Sequence, residues 1–221
     1  LVAIGQTHGI PVVNDLGSGV FIPTNDLLGY HEPSVQDSVR AGASLTCFSG
    51  DKLLGGVQAG LIVGRADLVK KVKKNPVFRA LRVDKVVYSV VEKLLSIYLN
   101  GTHQQDIKLW SILSTPVAEL RRRAEHLHGA VGAPATITIR DTGALVGGGA
   151  LPEQTIPSVA LAFAAEIKAT ALMKRFREMT PPVIGRIVDD RLVLDLKAVD
   201  ESHLDTLAEA IRIALSDSSS G

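Results

Sequence analysis

The first half of the chain is predicted to be part of a largely parallel α/β sheet and the second half a small α+β domain. Three observations lead there. Short apolar runs ended by glycine or acidic residues alternate with helical patterns up to about residue 100. Beyond it, strand-like runs of two-residue alternation are packed between helical patterns and end in a hairpin signature. The 221 residues, 46% hydrophobic and 21% charged, have the composition of a globular protein with one large domain or two small ones.

"LVAIGQTHG" carries a helical pattern closed by Gly9. A domain seldom opens in mid-pattern, so the chain is expected to be a fragment of a longer protein. "IPVVNDLGSG" reads as a buried strand whose carboxyl end carries Asp15. "SVQDSVRAGA" is helical from about Ser34 to Ala41, "SLTCFSGD" is a second buried strand, and "AGLIVGR" a third. "ADLVKKVKKN" is a helix stopped at Asn75-Pro76, because proline disfavours the α conformation in the residue before it. "VDKVVYSVVEKLLSIYLNG" gives the clearest helix. Asp84 is placed to cap it, apolar residues recur at three and four, and Asn100-Gly101 stops it.

A domain boundary is placed nearby, giving a larger domain over 1–100 and a smaller one over 101–215. In the latter, a helix from about Pro116 to His128 precedes the strand "ATITIR" and the glycine-rich "GALVGGGALPEQ". "SVALAF" is a strand, "EIKATALMKRFREM" a helix, and "GRIVDDRLVLDL" a hairpin turning at Asp189-Asp190. A last helix covers about Glu201 to Leu215, and "SDSSSG" over 216–221 is expected to be disordered.

Charge and cysteine content exclude some classes. With 24 Lys and Arg against 23 Asp and Glu, the net charge of +1 argues against a nucleic-acid binder held by a wide basic surface. The single cysteine, Cys47, forms no internal disulfide and is read as a small buried hydrophobe. No apolar run is long enough to span a bilayer, so a cytoplasmic protein is expected. His126 and His128, two apart, share no helical face for a metal, and no zinc spacing occurs. The run Gly147-Gly148-Gly149 lacks the Gly-Lys-Ser/Thr of a phosphate loop. Lys70, Lys71, Lys73 and Lys74, like Arg121, Arg122 and Arg123, read as solvated faces before they read as RNA contacts.

Chemistry concentrates at two strand ends, where ligands bind in open α/β sheets. One carries Asp15 in "NDLGSG", the other Asp51-Lys52 in "SGDKLLGG". An aspartate and a lysine on neighbouring strand ends suit pyridoxal phosphate: the amine bonds to the aldehyde, and the carboxylate keeps the pyridine nitrogen protonated. Ser49 is a candidate donor to the cofactor phosphate, and Gly50 lets backbone approach a ligand. Spacing alone leaves open that Lys52 is a solvated loop lysine and Asp15 a turn former.

"SGDKLLGGVQAGLIVGR", with "IPVVNDLGSG" before it and "FRALRVDK" after it, resembles bacterial selenocysteine synthase, the L-seryl-tRNA(Sec) selenium transferase family of fold-type-I pyridoxal phosphate enzymes. "VGGGALPEQTIPSVAL" and "PPVIGRIVDDRLVLDL" are similar to that family's C-terminal domain, and Val57 stands where its pattern has proline. The resemblance implies the C-terminal half of the large catalytic domain plus the small domain. It implies Lys52 as the cofactor lysine, Asp15 as the pyridinium partner and Asp51 near the reacting centre. Arg79 and Arg82 are implied as a pair holding selenophosphate, their i, i+3 spacing setting two guanidinium forks on one side of a turn. The implied reaction converts seryl-tRNA(Sec) to selenocysteinyl-tRNA(Sec) through an aminoacrylyl unit, in a homo-oligomer built as a ring of dimers.

The phosphate-binding loop, the ring-stacking residue and the tRNA-binding domain of that family are not found in the chain. It is therefore expected to bind cofactor poorly and to be inactive alone, with an exposed strand edge that invites self-association. A lyase of the same fold acting on a small amino acid or amino sugar, and a non-catalytic scaffold, are the alternatives.

Overall fold

The computed structural model describes residues 1–147 and 154–216. Of the glycine run, Gly148 and Gly149 lie outside the described residues, as does the tail from 217 to 221. The described residues form two compact units. One holds Leu1–Ser114 with Val146, Gly147 and Gln154, the other Thr115–Leu145 with 155–216. The boundary thus falls after Ser114 rather than near residue 100. The physical reason is Trp110, fully buried, whose indole N–H donates to the Tyr98 hydroxyl at 2.7 Å. The segments after Gly101 fold back onto the helix that precedes it and start no new core.

In the first unit the elements run α1 (Val2–Thr7), β1 (Val13–Gly17), α2 (Asn25–Leu28), α3 (Val35–Arg40), β2 (Leu45–Ser49), β3 (Gly60–Gly64), α4 (Ala66–Lys74), α5 (Phe78–Leu81), α6 (Lys85–Asn100), α7 (His103–Asp106) and α8 (Lys108–Leu113). The sheet order is β1-β2-β3. β1 and β2 are parallel, with Asp15 opposite Cys47, while β3 runs antiparallel to β2, with Ser49 opposite Gly60. The sheet is therefore mixed. Connection length explains it: α2 and α3 supply the crossover a parallel pair requires, whereas Gly50–Ala59 is too short to make one.

Local chemistry fixes the helix starts. Ser34 and Asp37 form a reciprocal cap on α3: the Asp37 N–H donates to Ser34 Oγ at 3.1 Å, and the Ser34 N–H to Asp37 Oδ2 at 3.0 Å. Asp84 Oδ1 accepts from the N–H groups of Val86 and Val87 at 2.9 and 3.0 Å, and Gly101 closes α6 in the left-handed conformation.

The second unit comprises α9 (Val117–Ala130), β4 (Ile137–Leu145), β5 (Thr155–Phe163), α10 (Ala169–Glu178), β6 (Arg186–Val188), β7 (Arg191–Asp195), two 3-10 turns and α11 (Leu204–Ser216). Its antiparallel sheet has the order β4-β5-β7-β6. One face, carrying Val159, Leu161, Phe163, Leu192 and Leu194, packs against Leu120 and Leu127 of α9, Phe176 of α10 and Ile211 of α11. Each such side chain, fully buried, contributes roughly 1.5–3 kcal/mol. The hairpin turns at Asp189 and Asp190, both at positive φ (49° and 61°). β4 and β5 extend beyond the predicted runs because Gly143 pairs with Pro157, two residue types that mask a strand.

Candidate active site

The site is built where β1 and β2 end. The loops after both strands are stitched together: the Leu53 N–H, one residue past Lys52, donates to the Ser18 carbonyl at 2.9 Å. The amine of Lys52 turns back over β1. A Cβ placed on Gly17 would stand 3.8 Å from Lys52 Nζ, and the remaining neighbours leave that position open. Gly17 closes the strand that carries Asp15, two residues earlier. The lysine amine and the aspartate are thereby brought to one strand end, with Lys52 half-buried and Asp15 exposed.

The small residues around the lysine are explained by packing. The Gly50 N–H donates to the Ala59 carbonyl at 2.8 Å, and the Gly50 carbonyl accepts from the Gly56 N–H at 2.8 Å. A Cβ on Gly50 would lie 2.5 Å from the Val57 carbonyl oxygen. Side chains at Gly55 and Gly56 would meet Ile107 and Leu94 at 2.5 and 2.4 Å, so the glycine pair lets α6 and the segment after α7 close onto the turn. Leu53 and Leu54, by contrast, point inward and are fully buried. The turn alternates backbone contact with apolar anchors, which holds the lysine on a firm base.

An open groove of about 980 Å³ lies along the sheet beside this strand end; it takes in Asp15 and Ser49, while Lys52 is outside its lining. Asp15, Cys47 and Ser49 line its sheet side, Val69, Val72 and Lys73 of α4 one wall, and Phe78, Arg82 and Val87 another. Of the two arginines singled out in the sequence, Arg82 lines the groove at the carboxyl end of α5. Arg79 sits within that helix turn, exposed, outside the lining. Asp51 is exposed in the turn that carries Lys52. Cys47 is half-buried beside Asp15 instead of sitting in the core; burial first, and then the Asp15 carboxylate, push its thiol up from the usual range, which favours the neutral form.

Other cations are accounted for elsewhere. Arg121 pairs with Asp141, and Arg122 and Arg123 with Glu119 and Glu201. Lys70, Lys71, Lys73 and Lys74 are exposed along α4. Among the described residues no group of three or more His, Cys, Asp or Glu is placed to hold a metal, and no helix is long and apolar enough to cross a membrane.

Sequence reasoning missed Tyr98 and Trp110. The Tyr98 hydroxyl donates to the Leu54 carbonyl at 2.8 Å and accepts from the Trp110 indole. Burial pushes the Tyr98 phenol up to about 12, the Trp110 hydrogen bond opposing it in part. The only signal in the sequence was a tyrosine near the end of an apolar helix with the chain's one tryptophan shortly after it.

A lysine in the turn after one strand, an acid on its parallel neighbour and an antiparallel third strand mark a mixed-sheet α/β unit with chemistry gathered at its strand ends. The same fold is seen in D-glucosaminate-6-phosphate ammonia-lyase, at TM-score 0.62 and 16% identity over 96% of this chain and 51% of that one. The chain belongs to the L-seryl-tRNA selenium transferase family, which matches residues 1–200. Similar relatives are L-seryl-tRNA(Sec) selenium transferases of Mannheimia succiniciproducens, 40% identical over 222 residues, and of Nitratidesulfovibrio vulgaris, 38% identical over 221. The matches cover 95% and 97% of this chain and 47% of each relative, so it spans about half their length. An amine facing a side-chain-free glycine, with a carboxylate two residues earlier on the same strand, fits pyridoxal phosphate, the cofactor that the sequence resemblance implies.

Proposed function

We propose that this chain carries the lysine half of a pyridoxal-phosphate-dependent site that converts seryl-tRNA(Sec) to selenocysteinyl-tRNA(Sec) with selenophosphate. The observation that supports it most is Lys52 Nζ lying over Gly17, at the end of the strand that bears Asp15. When bound, pyridoxal phosphate supplies an electron sink for charge developing at the serine Cα. Lys52 would hold the cofactor through its aldehyde and would supply the amine that takes the Cα proton. Asp15 would hold the ring nitrogen in its protonated form. Ser49 and Gly50, at the end of β2, serve the cofactor, and Asp51 stands beside the reacting centre.

Arg82, on the groove wall, and Arg79, one helix turn away, receive the selenophosphate oxyanion. Arg82 is the nearer of the two to the chemistry, since it shares the groove with Asp15. The seryl-tRNA(Sec), the selenophosphate chemistry and the homo-oligomer are assigned to the whole protein, of whose relatives this chain spans about half the length.

Reduction with borohydride after incubation with pyridoxal phosphate, followed by peptide mapping, tests the assignment. In the intact protein a single adduct on Lys52 is expected, and it is lost in Lys52→Ala. Adducts elsewhere with Lys52 unmodified would sink the assignment. Selenophosphate-dependent conversion of seryl-tRNA then separates the transferase from a lyase of the same fold.

A further inference from the structure

We propose that Tyr98 is a positioning residue for Lys52: through its hydroxyl, oriented by Trp110, α6 fixes the turn on which the lysine stands. The proposal rests on the assignment of Lys52 as the cofactor lysine.

The direction of each hydrogen bond follows from the groups themselves. The indole N–H is a donor only, so at 2.7 Å it occupies a lone pair of the Tyr98 oxygen. The single phenolic proton is left for the Leu54 carbonyl at 2.8 Å; the Leu53 carbonyl, at 3.5 Å, is a distant second. With its phenol pushed up to about 12, Tyr98 stays a donor at any physiological pH. Its ring is held as well. Phe21 lies 5.5 Å away on one side and itself touches Phe48 of β2, while His103 stacks at 5.5 Å and 14°.

What this bond adds is orientation. Leu53 and Leu54 are buried, which keeps their side chains in the core, and the peptide plane after Leu54 is gripped at both ends: its Gly55 N–H donates to the Lys52 carbonyl and its Leu54 carbonyl accepts from Tyr98. Gly55 and Gly56 follow, and Gly55 adopts φ +76°, so those two hydrogen bonds rather than a Cβ orient the plane. The turn's own closures run between its members, from the Gly55 N–H to the Lys52 carbonyl at 2.9 Å and from the Gly56 N–H to the Gly50 carbonyl. Ser18 fixes it from the β1 side. Tyr98, 44 residues away in sequence, holds it at the next residue, Leu54. The turn is thus anchored at two consecutive residues directly after the lysine.

The test uses the intact protein loaded with pyridoxal phosphate and the variants Tyr98→Phe and Trp110→Phe. Tyr98→Phe keeps the ring contacts and removes the proton. It is expected to move the pH midpoint of the visible cofactor band by about half a unit or more. It should also lower kcat by about 10-fold or more with KM little changed, as misplacement of a reacting group does. Trp110→Phe should move both in the same direction by less. A Tyr98→Phe protein that melts lower but keeps the band midpoint and kcat would overturn the proposal. Should that variant fail to fold, unchanged values in Trp110→Phe overturn it equally. If Lys52→Ala retains the cofactor band, the lysine assignment and this inference fall together. If Lys52→Ala abolishes it and Tyr98→Phe changes nothing, the inference alone falls.

Discussion

Replacing Gly19 by alanine probes how closely the two strand ends must approach. Gly19 has φ +71° and Gly17 has φ +72°, so an L side chain at either carries the left-handed penalty of about 1–2 kcal/mol. Their surroundings differ. At Gly17 the new methyl would meet only Lys52 Nζ, at an ordinary 3.8 Å. At Gly19 it would stand 2.4 Å from the Ser49 carbonyl oxygen, a distance no Cβ tolerates, with Leu54 Cβ and Phe48 Cδ2 at 3.4 and 3.5 Å behind it. Backbone must retreat, and overpacking of this kind adds roughly 1–3 kcal/mol. Gly19→Ala should therefore cost about 2–5 kcal/mol and Gly17→Ala about 1–2. Urea titrations followed by circular dichroism read the difference; with a slope of about 1–3 kcal/mol per molar, the Gly19 midpoint should fall clearly below the Gly17 one. Equal midpoints would show that the loop after β1 yields freely and that the close approach of the strand ends is not enforced.

Asp15→Asn should weaken pyridoxal phosphate binding by the worth of one charged hydrogen bond, about 1.5–3 kcal/mol or roughly 10- to 150-fold in Kd, read by absorbance titration of the intact protein. Phe176→Ala, which empties a fully buried ring site edge-on to Phe163 at 5.8 Å, should destabilise the protein by about 3–5 kcal/mol in the same urea assay. Hydrogen bonds from Arg122, then Arg123, hold the Glu119 carboxyl down at about 2. A folded-state value below the unfolded one, about 4.3, means that its contribution is complete above that pH and is lost as pH falls toward 2. Glu119→Gln should accordingly flatten the melting temperature between about pH 4 and 2, and an unchanged profile would refute the pairing.

Helix ends were legible wherever a single side chain decides them. Asp84 and Gly101 bound α6 as the sequence predicts, Ser34 opens α3, and two consecutive aspartates turn the β6–β7 hairpin. Strand direction was not legible, because an apolar run looks the same read either way; the short Gly50–Ala59 connection was the clue to the antiparallel β3. The domain boundary was misplaced since Gly101 ends a helix without ending a core, and the Trp110–Tyr98 contact that carries the unit on is a tertiary fact. At the site, the placing of Asp15 and Lys52 on neighbouring strand ends was legible from the strand pattern, whereas the turn of the lysine amine back over Gly17 was not. The i, i+3 spacing of the arginines did not tell which one faces the groove, since α5 is a single turn whose orientation is set by its neighbours.

β2 is the middle strand of its sheet, hydrogen-bonded to β1 on one side and β3 on the other, with Thr46 and Phe48 buried beneath it. Its amides can exchange with solvent only after a neighbour has peeled away, so among these three strands it is the last to open. Lys52 hangs from that strand. Opening at the β3 margin therefore leaves the lysine in place, whereas opening at β1 loosens its turn through Ser18 alone.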